Sequence, residues 1–169
     1  MAGDLEPLLA HHGPYLRSLE VAGLKLTSSA FVYLSHCPLL ESLHILPSEP
    51  FTLLPEAVQS LCRLTGLRDL ELGVCLVTHN QVNQLLQPLV KLKQLSLINV
   101  PTVFPLRQPL LAYARRFPRR RITVWLSYDD RPNASPPRRL DARDTRTSRA
   151  PPGLSNIEVI GNLRIMYTH

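Results

Sequence analysis

Apolar residues recur along this chain in a three-position pattern, at offsets 1, 4 and 6, that returns in near-even register. Its sharpest copy is Leu67, Leu70 and Leu72, interleaved with Arg68, Asp69, Glu71 and Gly73. A strand points successive side chains to opposite faces, so Leu70 and Leu72 are predicted to face a core while Asp69 and Glu71 face outward. Leu67 turns inward just ahead of the strand. Cys75, at offset 9, places a small side chain where the chain turns away, and Val77 returns an apolar group to the core. Further copies are Leu16, Leu19, Val21; Leu40, Leu43, Ile45; and Leu92, Leu95, Leu97. A weaker fifth, Arg119, Ile122, Val124, lacks the first leucine. The first positions are separated by 24, 27, 25 and 27 residues.

Helical spacing fills the gaps between copies. The first helix is predicted over 4–12, with Asp4 as its N-cap and Leu5, Leu8 and Leu9 on one side. The second covers 28–37 with Ala30, Phe31 and Leu34 inward, and the third covers 56–64 with Ala57, Val58, Leu61 and Leu64 inward. The fourth covers 78–90 with Asn80 as cap and Val82, Leu85, Leu86 and Leu89 inward. The last starts at Pro105 or Leu106, ends at Phe117, and leads into a strand over 119–126. One strand–helix unit cannot bury its own apolar face, but stacked neighbours can.

The pattern and its period resemble leucine-rich repeats, whose units run to roughly 20–29 residues. The fold class that this implies is α/β: a short, curved leucine-rich-repeat solenoid with parallel strands on its concave face and helices on its convex face. Residues 1–126 are assigned to that domain. From about Ser127 to Gly153 the chain turns rich in Pro, Ser and charge, so residues 127–169 are assigned to a largely disordered Pro/Arg-rich tail. Within it, 154–167 reads either as a further strand unit or as an unrelated tail.

The helix end His36, Cys37, Pro38, followed by the strand copy from Leu40, is similar to the cysteine-containing repeats of F-box proteins, over roughly residues 4–126. The matching places before the later strands read Thr65-Gly66, Val90-Lys91 and Phe117-Pro118 instead of Cys-Pro. Members of that family are substrate receptors of cullin-RING ubiquitin ligases. Their repeats hold the substrate, and a separate F-box joins the ligase adaptor. No F-box pattern precedes the first copy here. The resemblance therefore implies a repeat-only relative, a fragment or an isoform, able to bind a protein client of an SCF-type ligase but not to join the ligase itself through an F-box.

Charge adds a second element. The net charge is +6, and the stretch from Arg115 to Ala150 holds eleven Arg against four Asp, which leaves the rest close to neutral. The cationic character is thus assigned to the tail, and a nuclear or RNA-associated protein acting through that tail is the alternative function. No apolar run reaches the roughly 18 residues of a membrane span. The acidic N-terminus is not that of a secretory signal. The odd set Cys37, Cys62 and Cys75 lacks metal or disulfide spacing and reads as reduced, buried thiols. A cytoplasmic or nuclear location is expected.

No constellation for catalysis, cofactor or metal is found, so the chain is expected not to be an enzyme. The candidate binding residues are the outward positions of the strands. One column is Ser18, Ser42, Asp69, Gln94 and Arg121, the next is Glu20, His44, Glu71, Ser96 and Thr123, and Trp125 ends a third after Ala22, Leu46, Gly73 and Ile98. Trp125 beside Arg121 is the expected anchor, with the cap of the last repeat as its other reading. His44, among Glu20 and Glu71, reads as one member of a solvated polar column. The expected partners are a protein client on the concave face and a ubiquitin-ligase component. No membrane or small-molecule substrate is expected.

Overall fold

The leucine triplets become strands that pair in chain order. The computed structural model describes residues 5–26, 28–100, 106–128, 154–160 and 163–168. Strands β1 (Ser18–Ala22), β2 (Ser42–Leu46), β4 (Asp69–Gly73), β6 (Gln94–Val100) and β7 (Ile122–Tyr128) are all parallel, each to the next. One hydrogen bond repeats at every step and fixes the register. Ser42 N donates to Arg17 O (3.0 Å), Asp69 N to Glu41 O (3.1 Å), Gln94 N to Arg68 O (3.1 Å) and Thr123 N to Lys93 O (2.8 Å). A small second sheet pairs β3 (Phe51–Thr52) with β5 (Cys75–Leu76).

That register puts Leu43, Leu70, Leu95 and Val124 in one row and Ile45, Leu72, Leu97 and Leu126 in the next. All eight are buried and belong to a single core cluster. The opposite wall is made by α1 (Leu5–His12), a 3-10 helix (Ser28–His36), α2 (Pro55–Cys62), α3 (His79–Leu86) and α4 (Arg107–Arg116). Their buried residues Leu9, Phe31, Leu61, Leu85 and Leu110 join the same cluster. Each such side chain contributes about 1.5–3 kcal/mol by leaving water. Polar positions of the strands consequently lie on the face away from the helices.

Local chemistry explains where elements begin. Pro55 occupies the first turn of α2, where its missing N–H goes unused. At α3 the cap is Thr78, not Asn80: the Thr78 hydroxyl accepts from Gln81 N, and the Gln81 side chain accepts from Thr78 N at 2.8 Å. This reciprocal box satisfies two of the orphan donors of the first turn. The residues over 28–36 form the tighter 3-10 helix instead of the α-helix that their spacing predicts. Leu54 is exposed, although Phe51 and Leu53 beside it are buried.

Two backbone positions are demanding. A Cβ on Gly13 would stand 2.5 Å from the backbone oxygen of His36, so the close approach of these two turns needs glycine. Val74 adopts φ 50° between β4 and β5, a left-handed conformation that costs a side-chain-bearing residue about 1–2 kcal/mol. It is held there by its N–H on Ile98 O and its carbonyl on Phe51 N. The bend delivers Cys75 into the core, where burial pushes its thiol up to about 12 and a hydrogen bond with the Leu53 backbone opposes the shift.

The last strands depart from expectation in two ways. The fifth unit sits two positions further on than the sequence alignment places it: Gln94 pairs with Thr123 and Ser96 with Trp125. And β7 is not the last strand. Strand β9 (Leu163–Thr168) pairs parallel to it, and β8 (Leu154–Ile160) pairs antiparallel to β9 at the outer edge. Strands β8 and β9 thus lie inside the stretch assigned to a tail, and β7 itself runs past its boundary at 126. Residues 129–153, with the arginines from Arg131 to Arg149, lie outside the described residues, as does Asp4.

Candidate functional site

The outward side chains form two rows across the parallel strands. The first is Ser18, Ser42, Asp69, Gln94 and Thr123. The second is Glu20, His44, Glu71, Ser96 and Trp125. In backbone register β9 pairs Arg164 with Thr123 and Met166 with Trp125. The sequence alignment correctly assembled these rows through β6 and misplaced their ends. Thr123 belongs in the first row and Trp125 in the second. Arg121 precedes β7, is exposed, and belongs to neither. The cause is the missing leucine. With Arg119 at offset 1 the core pair is Ile122 and Val124, whereas burial of Val124 and Leu126 against Leu95 and Leu97 sets the actual register.

His44 is not the solvated column member that its neighbours predict. It is 8% exposed, and Ser96 in the same row is 5% exposed. Its Nε2 lies 3.1 Å from Ser42 Oγ and 3.1 Å from Asp69 Oδ2. Its Nδ1 lies 4.0 Å from Glu71 Oε2. Serine and aspartate thus meet the same ring nitrogen. A nucleophile–base–orienter relay needs them on opposite nitrogens, so this Ser, His, Asp set does not have that geometry. What the set does is fix the middle of the rows: one imidazole ties β2 to two carboxylates of β4. Among the described residues, no group of three or more His, Cys, Asp or Glu is placed to hold a metal ion.

Around this anchored centre the rows change character. Ser18 and Glu20 are exposed at one end, and Ser42, Asp69, Glu71, Gln94, Thr123 and Trp125 are half-buried. The Trp125 indole N–H and Asp69 Oδ1 are buried without a protein hydrogen-bond partner among the described residues. With β9 beyond it, Trp125 stands within the sheet and not at its last strand. An apolar cavity of about 20 Å³ opens at the β1 end, lined by residues such as Leu9, Leu19, Val21 and Phe31. It has room for about one water and no polar side chain in its lining to hold one, so it makes no small-molecule site.

Charge separates along the chain in a way that the overall sum conceals. Residues 1–71 hold four Lys/Arg and eight Asp/Glu; from Leu72 to Tyr128 there are eight Lys/Arg and no Asp or Glu. Plotting charge along the chain instead of summing it over the repeats reveals this split. The ion pairs Arg17 with Glu41 (2.9 Å), Arg68 with Glu41 (3.4 Å) and Lys25 with Glu49 (2.6 Å) all lie in the first part. In the second part Arg120 takes a different role. Its Nη1 donates to Leu86 O (3.4 Å), Gln87 O (3.3 Å) and Tyr113 Oη (3.4 Å), and its guanidinium lies 4.4 Å from the Phe117 ring centroid. A cation at the last carbonyls of α3 complements that helix end and clamps the turn before β7 to it.

Among the described residues no helix is long and apolar enough to cross a membrane. Compared with protein-family models, curated proteins and solved structures, the chain matches none.

Proposed function

We propose that the chain is a short leucine-rich-repeat solenoid that works as a non-catalytic protein-binding module, with the outer face of its parallel strands as the contact surface. The observation that carries this reading is the row Glu20, His44, Glu71, Ser96 and Trp125. It sets polar and aromatic positions in register on five neighbouring strands, with Glu20 exposed, Glu71 and Trp125 half-buried, and the centre held by the buried imidazole of His44. A surface of that kind pre-pays part of the ordering cost of binding, and Trp is favoured as an energetic anchor. Recognition of a client for an SCF-type ubiquitin ligase is the role implied by the resemblance of roughly residues 4–126 to F-box repeat proteins.

The test is capture from cell lysate with the full chain and with a Glu71→Gln/Trp125→Ala variant of matched thermal stability. A partner recovered by the parent and reduced at least about tenfold by the variant supports the reading, since hot-spot loss is about 2 kcal/mol or more. Equal recovery of every partner contradicts it. A ubiquitin-ligase component among the lost partners supports the specific role, and its absence removes that role while leaving protein binding intact.

A further inference from the structure

We infer that the folded body carries a second docking surface, for the sugar–phosphate backbone of single-stranded nucleic acid, on the turns that enter β6 and β7. The surface consists of Lys91, Lys93, Arg115, Arg116, Arg119 and Arg121, all exposed. It lies apart from the outer face and is independent of the protein-binding reading.

The fold brings these six together from two consecutive units. Lys91 and Lys93 stand in the turn before β6, and Arg119 and Arg121 in the turn before β7. Arg115 and Arg116 end α4. The turns are stitched side by side: Thr123 N donates to Lys93 O at 2.8 Å, and Arg120 reaches the carbonyls of Leu86 and Gln87 just ahead of the first turn. Parallel strands lie about 4.8 Å apart, so the two turns and the end of α4 hold the six cationic residues in one region of the fold. Such a cluster repels itself, and the segment from Leu72 to Tyr128 that carries it contains no Asp or Glu. A polyanion that displaces counterions relieves that repulsion.

Two features favour nucleic acid over an acidic protein as the occupant. Four of the six cations are arginines, whose planar fork suits phosphate oxygens. And Val90, about half exposed beside Lys91, offers an apolar contact to a sugar or base within the charged field. Four of the cations sit on short turns and the other two at the end of α4, an arrangement that suits a backbone tracked by a flexible single strand.

The experiment measures fluorescence anisotropy of a labelled oligouridine of about 12 nucleotides with the full chain, between about 50 and 200 mM KCl. Four to six contacts predict a log–log salt slope of roughly −3 to −4. The variant R115Q/R116Q/R119Q/R121Q should bind at least about tenfold more weakly at low salt and lose about 2–3 units of slope. If that variant melts early, K91Q/K93Q carries the test and should lose about 1.4 units. The Glu71→Gln/Trp125→Ala variant should bind as the parent does. A chain with the six arginines from Arg131 to Arg149 changed to Gln should still show the patch-dependent part. Unchanged binding by both patch variants overturns the proposal, as does binding that depends on those six arginines alone. Displacement of the oligonucleotide by polyglutamate at equal charge concentration also overturns it, in favour of an acidic protein.

Discussion

The two parts of the sheet share one plan and carry opposite surfaces. In the part built on β1, β2 and β4, Arg17, Lys25 and Arg68 are ion-paired, the first and last both to Glu41, and acids outnumber bases. In the part built on β6 and β7 there is no acid at all, and the one partly buried cation, Arg120, is spent on helix carbonyls and aromatic rings. Yet Leu43 and Leu70 in the first part and Leu95 and Val124 in the second occupy one continuous row of the same core. The contrast teaches that a stacked strand–helix array constrains only its inward positions. Its outward positions and turns are free to diverge from unit to unit, and that is where binding surfaces can differ within one small domain.

The largest expected effect breaks the two parts together. Leu43→Ala and Leu95→Ala, each almost fully buried, should each cost about 2–5 kcal/mol. Because the core is shared, each variant should unfold in a single transition that circular dichroism and tryptophan emission report at the same denaturant concentration. Two separated transitions would show instead that the acidic and cationic parts fold independently. A smaller effect separates neighbouring arginines within the cationic part. Arg120→Ala should lose about 1–2 kcal/mol, through its carbonyl hydrogen bonds and the Phe117 stack. Arg119→Ala, an exposed neighbour, should change stability by no more than about 0.5 kcal/mol. Similar melting of the two variants would remove the clamp assigned to Arg120.

Much of the fold was legible because burial is periodic. The strands built on Leu19, Leu43, Leu70 and Leu95, and the inward faces of α2 and α3, follow directly from spacing. The helix start at Thr78 was misread because Asn80 is also a good cap, and only the reciprocal contact with Gln81 decides between them. The register of β7 was misread because Arg occupies both offset 1 of the aligned copy and offset 1 of the actual one, so no leucine marks the strand entry. Strands β8 and β9 fit either a further unit or an unrelated tail on sequence, since a strand pair separated from its neighbour by a long connection carries no repeat period. For the candidate site, the rows could be listed from alternation, but the burial of His44 could not. It depends on Asp69 and Glu71 closing over the ring from the next strand, a contact twenty-five residues away in sequence. The charge split was fully visible in the sequence and was lost by summing it.

Trp125 is the chain's only tryptophan and lies in the second outward row, so its emission reports on that face alone. The most direct measurement is the emission spectrum of the full chain titrated with a purified, tryptophan-free segment of the captured partner, and separately with oligouridine. If the outer face is the protein-binding surface, the partner shifts or quenches Trp125 emission with a saturable midpoint while oligouridine, docked on the turns, leaves it unchanged. Saturable partner binding with no change in Trp125 emission would contradict the assignment of that face.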